Sequence, residues 1–171
     1  MYIQYSAEEL ISLPARHQVF ICCDGASKGN PRKDGFGFVE RTYYGSCAGA
    51  ASGGLGIATN YLAEVMALIV GGEWAVSKKM LDVCFRLDSN AVLVAFNSGK
   101  IPWMVVNRWK NIVQSITSIS FRHSYRKINS SVGTMAKKGA LLERGEVIYY
   151  DTKPTFLGVL EREDGIYFRF C

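Results

Sequence analysis

Three acidic residues occupy positions from which buried carboxylates could do chemistry. Asp24 and Asp88 each close a short apolar run, and Glu64 lies inside a longer apolar segment. Asp24 follows Gln18–Cys23, Asp88 follows Leu81–Leu87, and Glu64 lies within Asn60–Val76. Carboxylates that converge repel one another unless a divalent cation compensates their charge, and hard oxygen ligands select Mg²⁺ or Mn²⁺. The pattern therefore predicts a metal site suited to phosphodiester hydrolysis.

An ordinary structural role for each acid is the alternative. Asp24 would then lie in a turn, Glu64 on a solvated helix face, and Asp88 at a helix cap. The surroundings of Glu64 argue against this alternative, because a solvated stripe should carry more charges than its apolar neighbours supply. Side chains that suit phosphate and ribose contacts lie near the same strand ends, namely Ser27, Asn30, Thr59, Asn60, Ser89 and Asn90.

The distribution of charge favours an anionic partner. The segment Ser89–Leu142 contains no Asp or Glu, but it contains eight Lys or Arg residues. The whole chain carries a formal net charge of +5. A modest positive excess is also common in proteins that bind no nucleic acid, so the charge supports such a partner without requiring it.

The elements that must position the acids follow from the hydrophobic period. The 171 residues, 49% of them hydrophobic, suit one domain with a substantial core. The predicted order is three strands, a helix, a strand, two helices, a strand and a helix, which indicates an α/β fold with a mixed sheet. The predicted strands are Val19–Cys23, Gly35–Thr42, Ser46–Ser52, Leu81–Leu87 and Ser118–Ser124, with a further candidate at Val147–Tyr150.

Two further expectations concern packing and location. Trp103 and Trp109 lie on the helix predicted to open at Pro102, and we expect both in the core. No basic flank precedes an apolar N-terminal stretch, and no run reaches about 18 apolar residues. We therefore expect a soluble intracellular protein of the nucleus or cytoplasm, with no membrane partner.

Four ordered motifs resemble those of the ribonuclease H family. They are Asp24–Pro31, Thr59–Val65, Asp88-Ser89, and Phe121–His123 taken with Arg126 and Asn129. These motifs are most similar to the ribonuclease H-like domains of plants, many of which are associated with retroelements. The resemblance divides the chain into an N-terminal lead-in (1–17), a ribonuclease H-like domain (18–142) and a C-terminal extension packed on the domain (143–171).

The resemblance implies a fold, an activity and a set of site residues. The fold would be a five-stranded mixed sheet with helices on both faces. The activity would be hydrolysis of the RNA strand of RNA/DNA hybrids with two Mg²⁺ or Mn²⁺ ions, and Asp24, Glu64 and Asp88 match the acids that hold them. The residues that match nucleic-acid contacts, together with Ser27 as a further candidate, are Asn30, Thr59, Asn60 and Asn90.

One acid of the family pattern is missing. The family carries a fourth acid on its final helix, four residues after the position of Asn129, and this chain has Gly133 there. Another alignment recovers no acid, because Ser89–Leu142 contains none. We therefore expect an endonuclease weakened by Gly133 or, alternatively, a catalytically degenerate domain that binds RNA/DNA hybrid or double-stranded nucleic acid. A protein-interaction module within a larger polyprotein is a third reading.

Overall fold

The structure is a computed structural model that describes residues 18–29, 32–124 and 130–158. The strands in these ranges are β1 (Val19–Lys28), β2 (Lys33–Arg41), β3 (Cys47–Gly56), β4 (Asp82–Leu87), β5 (Ser118–His123) and β6 (Val147–Tyr150). The α-helices are α1 (Asn60–Ser77), α2 (Asn90–Ser98), α3 (Val106–Ser115) and α4 (Ser130–Gly139). Among these helices, none combines the length and the apolar character needed to cross a membrane.

The strands form one mixed sheet in the order β5-β4-β1-β2-β3-β6. β1, β2 and β3 make an antiparallel meander. β4 lies parallel to β1 and β5 lies parallel to β4, so helices must cross over between them. α1 provides the crossover from β3 to β4, and α2 with α3 provides the crossover from β4 to β5. The predicted α/β class and mixed sheet are confirmed.

The predicted number of five strands is wrong, because the described residues already form a sheet of six. The additional strand, β6, confirms the candidate predicted at Val147–Tyr150; it pairs antiparallel with β3 and joins Val147 to Gly53 and Tyr150 to Ala50. A four-residue strand is too short to carry a clear alternating pattern, and its stability comes from a partner that is distant in sequence. Further along the chain, the buried Leu157 packs on the α4 side of the sheet.

Two strands are longer than the sequence predicts. β1 continues through Asp24 to Lys28, because its pairing with β2 extends that far. β3 continues through Gly53, where a glycine-rich stretch suggests an end. A Cβ on Gly53 would lie 2.1 Å from the ring of Phe36 on β2, so this position accepts only glycine. Gly53, and likewise Gly54, whose Cβ would lie 2.3 Å from Glu143 O, therefore serve close packing rather than chain reversal.

The helices lie on both faces of the sheet. α1, α2 and α3 cover one face with the main hydrophobic core, which includes Phe38, Leu68 and Phe85. α4 covers part of the other face, where Met135 packs with Val39 of β2. Successive residues of a strand point to opposite faces, so the meander strands present side chains to both layers.

The two tryptophans have different environments. Trp109 on α3 packs edge-on against Phe96 with ring centroids 4.9 Å apart and also contacts Phe85 and Phe121, as predicted. The prediction for Trp103 is wrong, because this side chain is 84% exposed. α3 begins at Val106 and Trp103 belongs to a short 3-10 helix before it, so the two residues do not share one helical face.

Candidate active site

The parallel pairing of β1 and β4 brings Asp24 and Asp88 together. The last parallel pair joins Cys22 to Arg86, and each acid lies two residues further along its chain. Asp24 lies within β1 and Asp88 directly follows β4, so the parallel pairing places the two acids at neighbouring positions of adjacent chain segments. One carboxylate oxygen from each of Asp24, Asp88 and Glu64 lies within 4.8 Å of the others. These three residues are called the acid cluster below.

Glu64 reaches the acid cluster because α1 packs closely on β1. A Cβ on Gly25 would lie 2.7 Å from Ala63 Cβ and 3.1 Å from the Glu64 amide nitrogen, so a side chain there would collide with the helix. The start of α1 is set by Thr59, whose Oγ1 accepts a hydrogen bond from the Leu62 amide at 3.1 Å. Glu64, one turn later, is only 4% exposed.

Asn60 and Cys23 lie beside the acid cluster, and their interactions show its negative charge. Asn60 Nδ2 donates a hydrogen bond to Glu64 Oε1 at 3.1 Å, which restrains that carboxylate. Burial holds the pKa of the Cys23 thiol well above its usual value, and the negative charges of Asp24 and Glu64 raise it further. The thiol thus lies in a negative potential, which a bound cation would offset.

α4 presents Gly133 to the cluster from the other side of Asp24. A Cβ built on Gly133 would lie 3.5 Å from Asp24 Oδ2, which is ordinary van der Waals distance. A longer side chain at this position would therefore approach the cluster. Since Ser130–Gly139 contains no Asp or Glu, α4 supplies no carboxylate to the site.

The predicted nucleic-acid contacts on the helices have local structural roles as well. Thr59 caps α1 and Asn60 binds Glu64, as described above. Asn90 is the exposed first residue of α2, where the preceding Ser89 accepts a hydrogen bond from the Val92 amide at 3.4 Å. The three predicted contacts therefore lie at the starts of α1 and α2, the ends of these helices that adjoin the acid cluster.

Sequence reasoning missed Asp34, which is fully buried near the start of β2. Its Oδ1 accepts hydrogen bonds from the Ser27 hydroxyl and from the Arg32 side chain, and its Oδ2 accepts one from the Ala58 amide at 2.9 Å. Burial alone would raise the pKa of Asp34, but these bonds favour the ionised form and the pKa is lowered. The remaining predicted contact, Asn30, lies outside the described residues.

The donor set of the acid cluster fits a hard divalent cation. Three carboxylates supply only oxygen ligands, the donors that such ions prefer over nitrogen or sulfur. Their mutual approach within 4.8 Å would be unfavourable without a compensating charge. Asp24, Glu64 and Asp88 are therefore the residues that could hold a metal.

Comparisons with known proteins agree with this geometry. The family described as "Reverse transcriptase-like" matches residues 22–139. A curated ribonuclease H from Syntrophus aciditrophicus is 37% identical over 93 residues, which are 54% of this chain and 51% of that protein. The chain thus spans about half the length of this relative.

Solved structures have the same fold. The crystal structure of RNase H1 from Halobacterium salinarum superposes with a TM-score of 0.63 at 26% identity, covering 71% of this chain and 96% of that one. LC11-RNase H1, solved in complex with an RNA/DNA hybrid, gives a TM-score of 0.61 at 23% identity, with coverage of 71% and 96%. The matched family covers most of the chain, and its residues carry the acid cluster, so the chain belongs to the ribonuclease H family.

Proposed function

We propose that this chain is a metal-dependent endonuclease that hydrolyses the RNA strand of RNA/DNA hybrids. The observation that carries the proposal is the acid cluster, in which Asp24, Glu64 and Asp88 bring oxygen ligands within 4.8 Å of one another. These residues hold Mg²⁺ or Mn²⁺ in the proposal. When bound, such ions would supply activation of a water for attack and stabilisation of the leaving oxygen of the phosphodiester.

The protein's own contribution is to place and orient the ligands. The register of β1 and β4 sets the spacing of Asp24 and Asp88. Asn60 restrains Glu64 through the hydrogen bond to Oε1, so this ligand is oriented before substrate binds. Preorganised ligands need little reorganisation during the reaction, which is a large part of what an enzyme supplies.

Two observations support an RNA/DNA hybrid as the proposed substrate. LC11-RNase H1 was solved in complex with an RNA/DNA hybrid, and it shares this fold. The chain also has polar side chains at the starts of α1 and α2 next to the cluster, namely Thr59, Asn60 and Asn90. Hydroxyl and amide groups of this kind suit phosphate and 2′-OH contacts.

Gly133 supports a second candidate, a degenerate domain that binds nucleic acid without cutting it. In the family pattern this position holds a fourth acid, and here α4 brings no carboxylate to Asp24. The two candidates share the binding surface and differ in turnover. We place the ribonuclease first because the other three acids are present and converge.

We also propose the division of the chain given by the sequence, with residues 18–142 as the ribonuclease H-like domain and 143–171 as an extension. Two contacts support packing of the extension on the domain. Val147–Tyr150 forms β6 on the edge of the sheet, and Leu157 is buried on the α4 face.

The test is cleavage of end-labelled RNA/DNA hybrid in Mg²⁺ and, separately, in Mn²⁺. We expect the wild-type chain to cut the RNA strand, with higher activity in Mn²⁺, and Asp24→Asn to lose at least about 100-fold in rate because a metal ligand is removed. Asp151→Asn is the matched control, since this exposed acid binds Lys78 far along α1 from Glu64.

The outcomes separate the candidates. Cleavage that disappears in Asp24→Asn and persists in Asp151→Asn supports the nuclease. Binding of hybrid with no cleavage above the Asp24→Asn level, in either metal, overturns the nuclease and leaves the degenerate binding domain.

A further inference from the structure

Asp34 is buried among polar groups at the turn end of the β1–β2 hairpin. Its side chain is 0% exposed, and the pairing of β2 with β3 changes register between Asp34 and Gly35. Oδ1 accepts hydrogen bonds from the Ser27 hydroxyl, from Arg32 Nε at 3.2 Å and from Arg32 Nη2 at 3.0 Å. Oδ2 accepts one from the Ala58 amide at 2.9 Å. A buried carboxylate with this many donors is held in one orientation.

The partners of Asp34 belong to segments that lead directly to the acid cluster. Ser27 lies three residues after Asp24 on β1, and Ala58 directly precedes Thr59, the cap of α1. Asp34 therefore connects the strand that carries Asp24 to the loop that begins the helix of Glu64. The pair of Arg32 and Asp34 thus contacts the strand that carries Asp24.

The charges around Asp34 favour an anion at this end of the hairpin. The Arg32 side chain is 52% exposed although Asp34 holds its guanidinium at Nε and Nη2. Lys28 and Lys33 lie directly opposite one another on β1 and β2, and like charges in that position repel. Lys33 approaches Glu143 only at 4.0 Å, and that glutamate is 85% exposed. A phosphate group would relieve the repulsion.

We propose that Arg32 is a contact for a backbone phosphate of the nucleic-acid substrate and that Asp34 is its positioning residue. The inference rests on the proposed function. A guanidinium presents several donors in a planar fork that matches phosphate oxygens, and an anchored guanidinium loses less conformational entropy when it binds. Lys28 and Lys33 add positive charge on either side.

A purely structural ion pair is the competing explanation. Arg32 would then serve only to compensate the charge of Asp34, which is fully buried. On that explanation, loss of Arg32 would leave hybrid binding unchanged. The decisive measurement is therefore affinity and its salt dependence, because each phosphate contact adds to the slope of log affinity against log salt.

The experiment measures binding of fluorescently labelled RNA/DNA hybrid to the full chain carrying Asp24→Asn, over a range of NaCl concentrations. In this parent, Arg32→Ala should weaken binding about three- to tenfold and lower the salt slope by about one. Arg32→Lys should keep most of the slope but not the full affinity, because the fork is lost. Lys78→Ala, which removes an exposed cation at the end of α1 far from Glu64, should change neither quantity.

Asp34→Asn tests the positioning role. It should weaken binding as Arg32→Ala does, and the double variant should bind no more weakly than Arg32→Ala, because Asp34 acts through Arg32. Additive losses would overturn the positioning role. If Asp34→Asn does not fold, as judged by circular dichroism, the Arg32 variants still decide whether the phosphate contact exists.

Two results would contradict the inference, and they are distinguishable. If the parent binds hybrid and Arg32→Ala binds it with the same affinity and slope, Arg32 is not a phosphate contact, while the proposed function stands. If the parent binds no hybrid, the proposed function and this inference both fall.

Discussion

Gly133 is the residue that separates this acid cluster from a four-acid site. Its Cβ position lies 3.5 Å from Asp24 Oδ2, and this is the one contact within 4 Å among the residues that the structure describes. A side chain at this position therefore has room to extend toward the cluster. The packing around Gly133 therefore does not exclude an acidic side chain at this position.

We predict that Gly133→Asp strengthens metal binding and cleavage. The added carboxylate would lie beside Asp24 and share its cation, so the metal concentration for half-maximal cleavage should fall by about tenfold or more. Titration of hybrid cleavage with Mg²⁺ measures this concentration.

Gly133→Asn is the matched control, because it has the same shape and no charge. Without metal, Gly133→Asp should melt below Gly133→Asn, since the new carboxylate repels Asp24. Added Mg²⁺ should reverse that order. Equal metal requirements for the two variants would contradict this account of position 133.

The contact between α1 and β1 is the element-level feature that forms the site. Glu64 is on a helix and Asp24 is on a strand, so their distance depends on how closely these two elements pack. Gly25 permits that approach, because its hydrogen atom faces Ala63 where a methyl group would lie 2.7 Å from Ala63 Cβ. The glycine that follows Asp24 thus positions the other acid.

We predict that Gly25→Ala lowers stability and cleavage together. The methyl group must displace the start of α1, which should reduce the free energy of unfolding by roughly 1–3 kcal/mol. Glu64 would move with the helix, so cleavage should fall further than the loss of folded protein explains. Denaturant unfolding and hybrid cleavage measure the two effects.

Gly133→Ala is the matched control for Gly25→Ala, because it makes the same substitution at a glycine with room for a methyl group. Position 133 accepts a Cβ at 3.5 Å, and alanine favours a helix over glycine by up to about 1 kcal/mol. That variant should be as stable as wild type or more so. Full activity in Gly25→Ala would show that the close approach is not needed by the site.

The stability of the whole molecule depends in part on Glu40, a buried acid outside the acid cluster. Glu40 on β2 is 7% exposed, and its Oε2 accepts a hydrogen bond from Trp74 Nε1 at 2.8 Å. Burial raises the pKa of Glu40, although the Trp74 bond and the charge of Lys78 partly oppose the shift. The ionised form is therefore less favourable in the folded chain than in the unfolded one.

We predict that Glu40→Gln stabilises the protein at pH 7. Because the folded pKa exceeds the unfolded pKa, the destabilisation by Glu40 is absent at low pH, where both states are protonated. It develops as pH rises from about 4.3, the ordinary value for Glu, through the raised folded pKa. Gln keeps an acceptor for Trp74 and removes the buried charge.

Urea unfolding at pH 7 and pH 3 measures this difference. The gain from Glu40→Gln should be present at pH 7 and absent at pH 3, and Glu143→Gln, an exposed control, should show no gain at either pH. A Glu40→Gln chain that is less stable than wild type at pH 7 would contradict the prediction.

The sequence alone predicted the fold class and the acids, because both depend on local patterns. Hydrophobic runs and the change of period at Asn60 identify the strands and the first helix. The motifs around Asp24, Glu64 and Asp88 identify the family, which the comparisons confirm. The spacing of the motifs also predicts that Gly133 takes the place of the fourth acid.

The tertiary structure decided features that depend on partners distant in sequence. The sequence offers Val147–Tyr150 as a candidate strand, but its place in the sheet depends on pairing with β3. The exposure of Trp103 depends on where α3 begins. Nothing local marks Asp34 as buried, because its environment is assembled from Ser27, Arg32 and the Ala58 amide. Hydrophobic period reports which residues are apolar, whereas hydrogen bonds between separate segments arise only when the chain has folded.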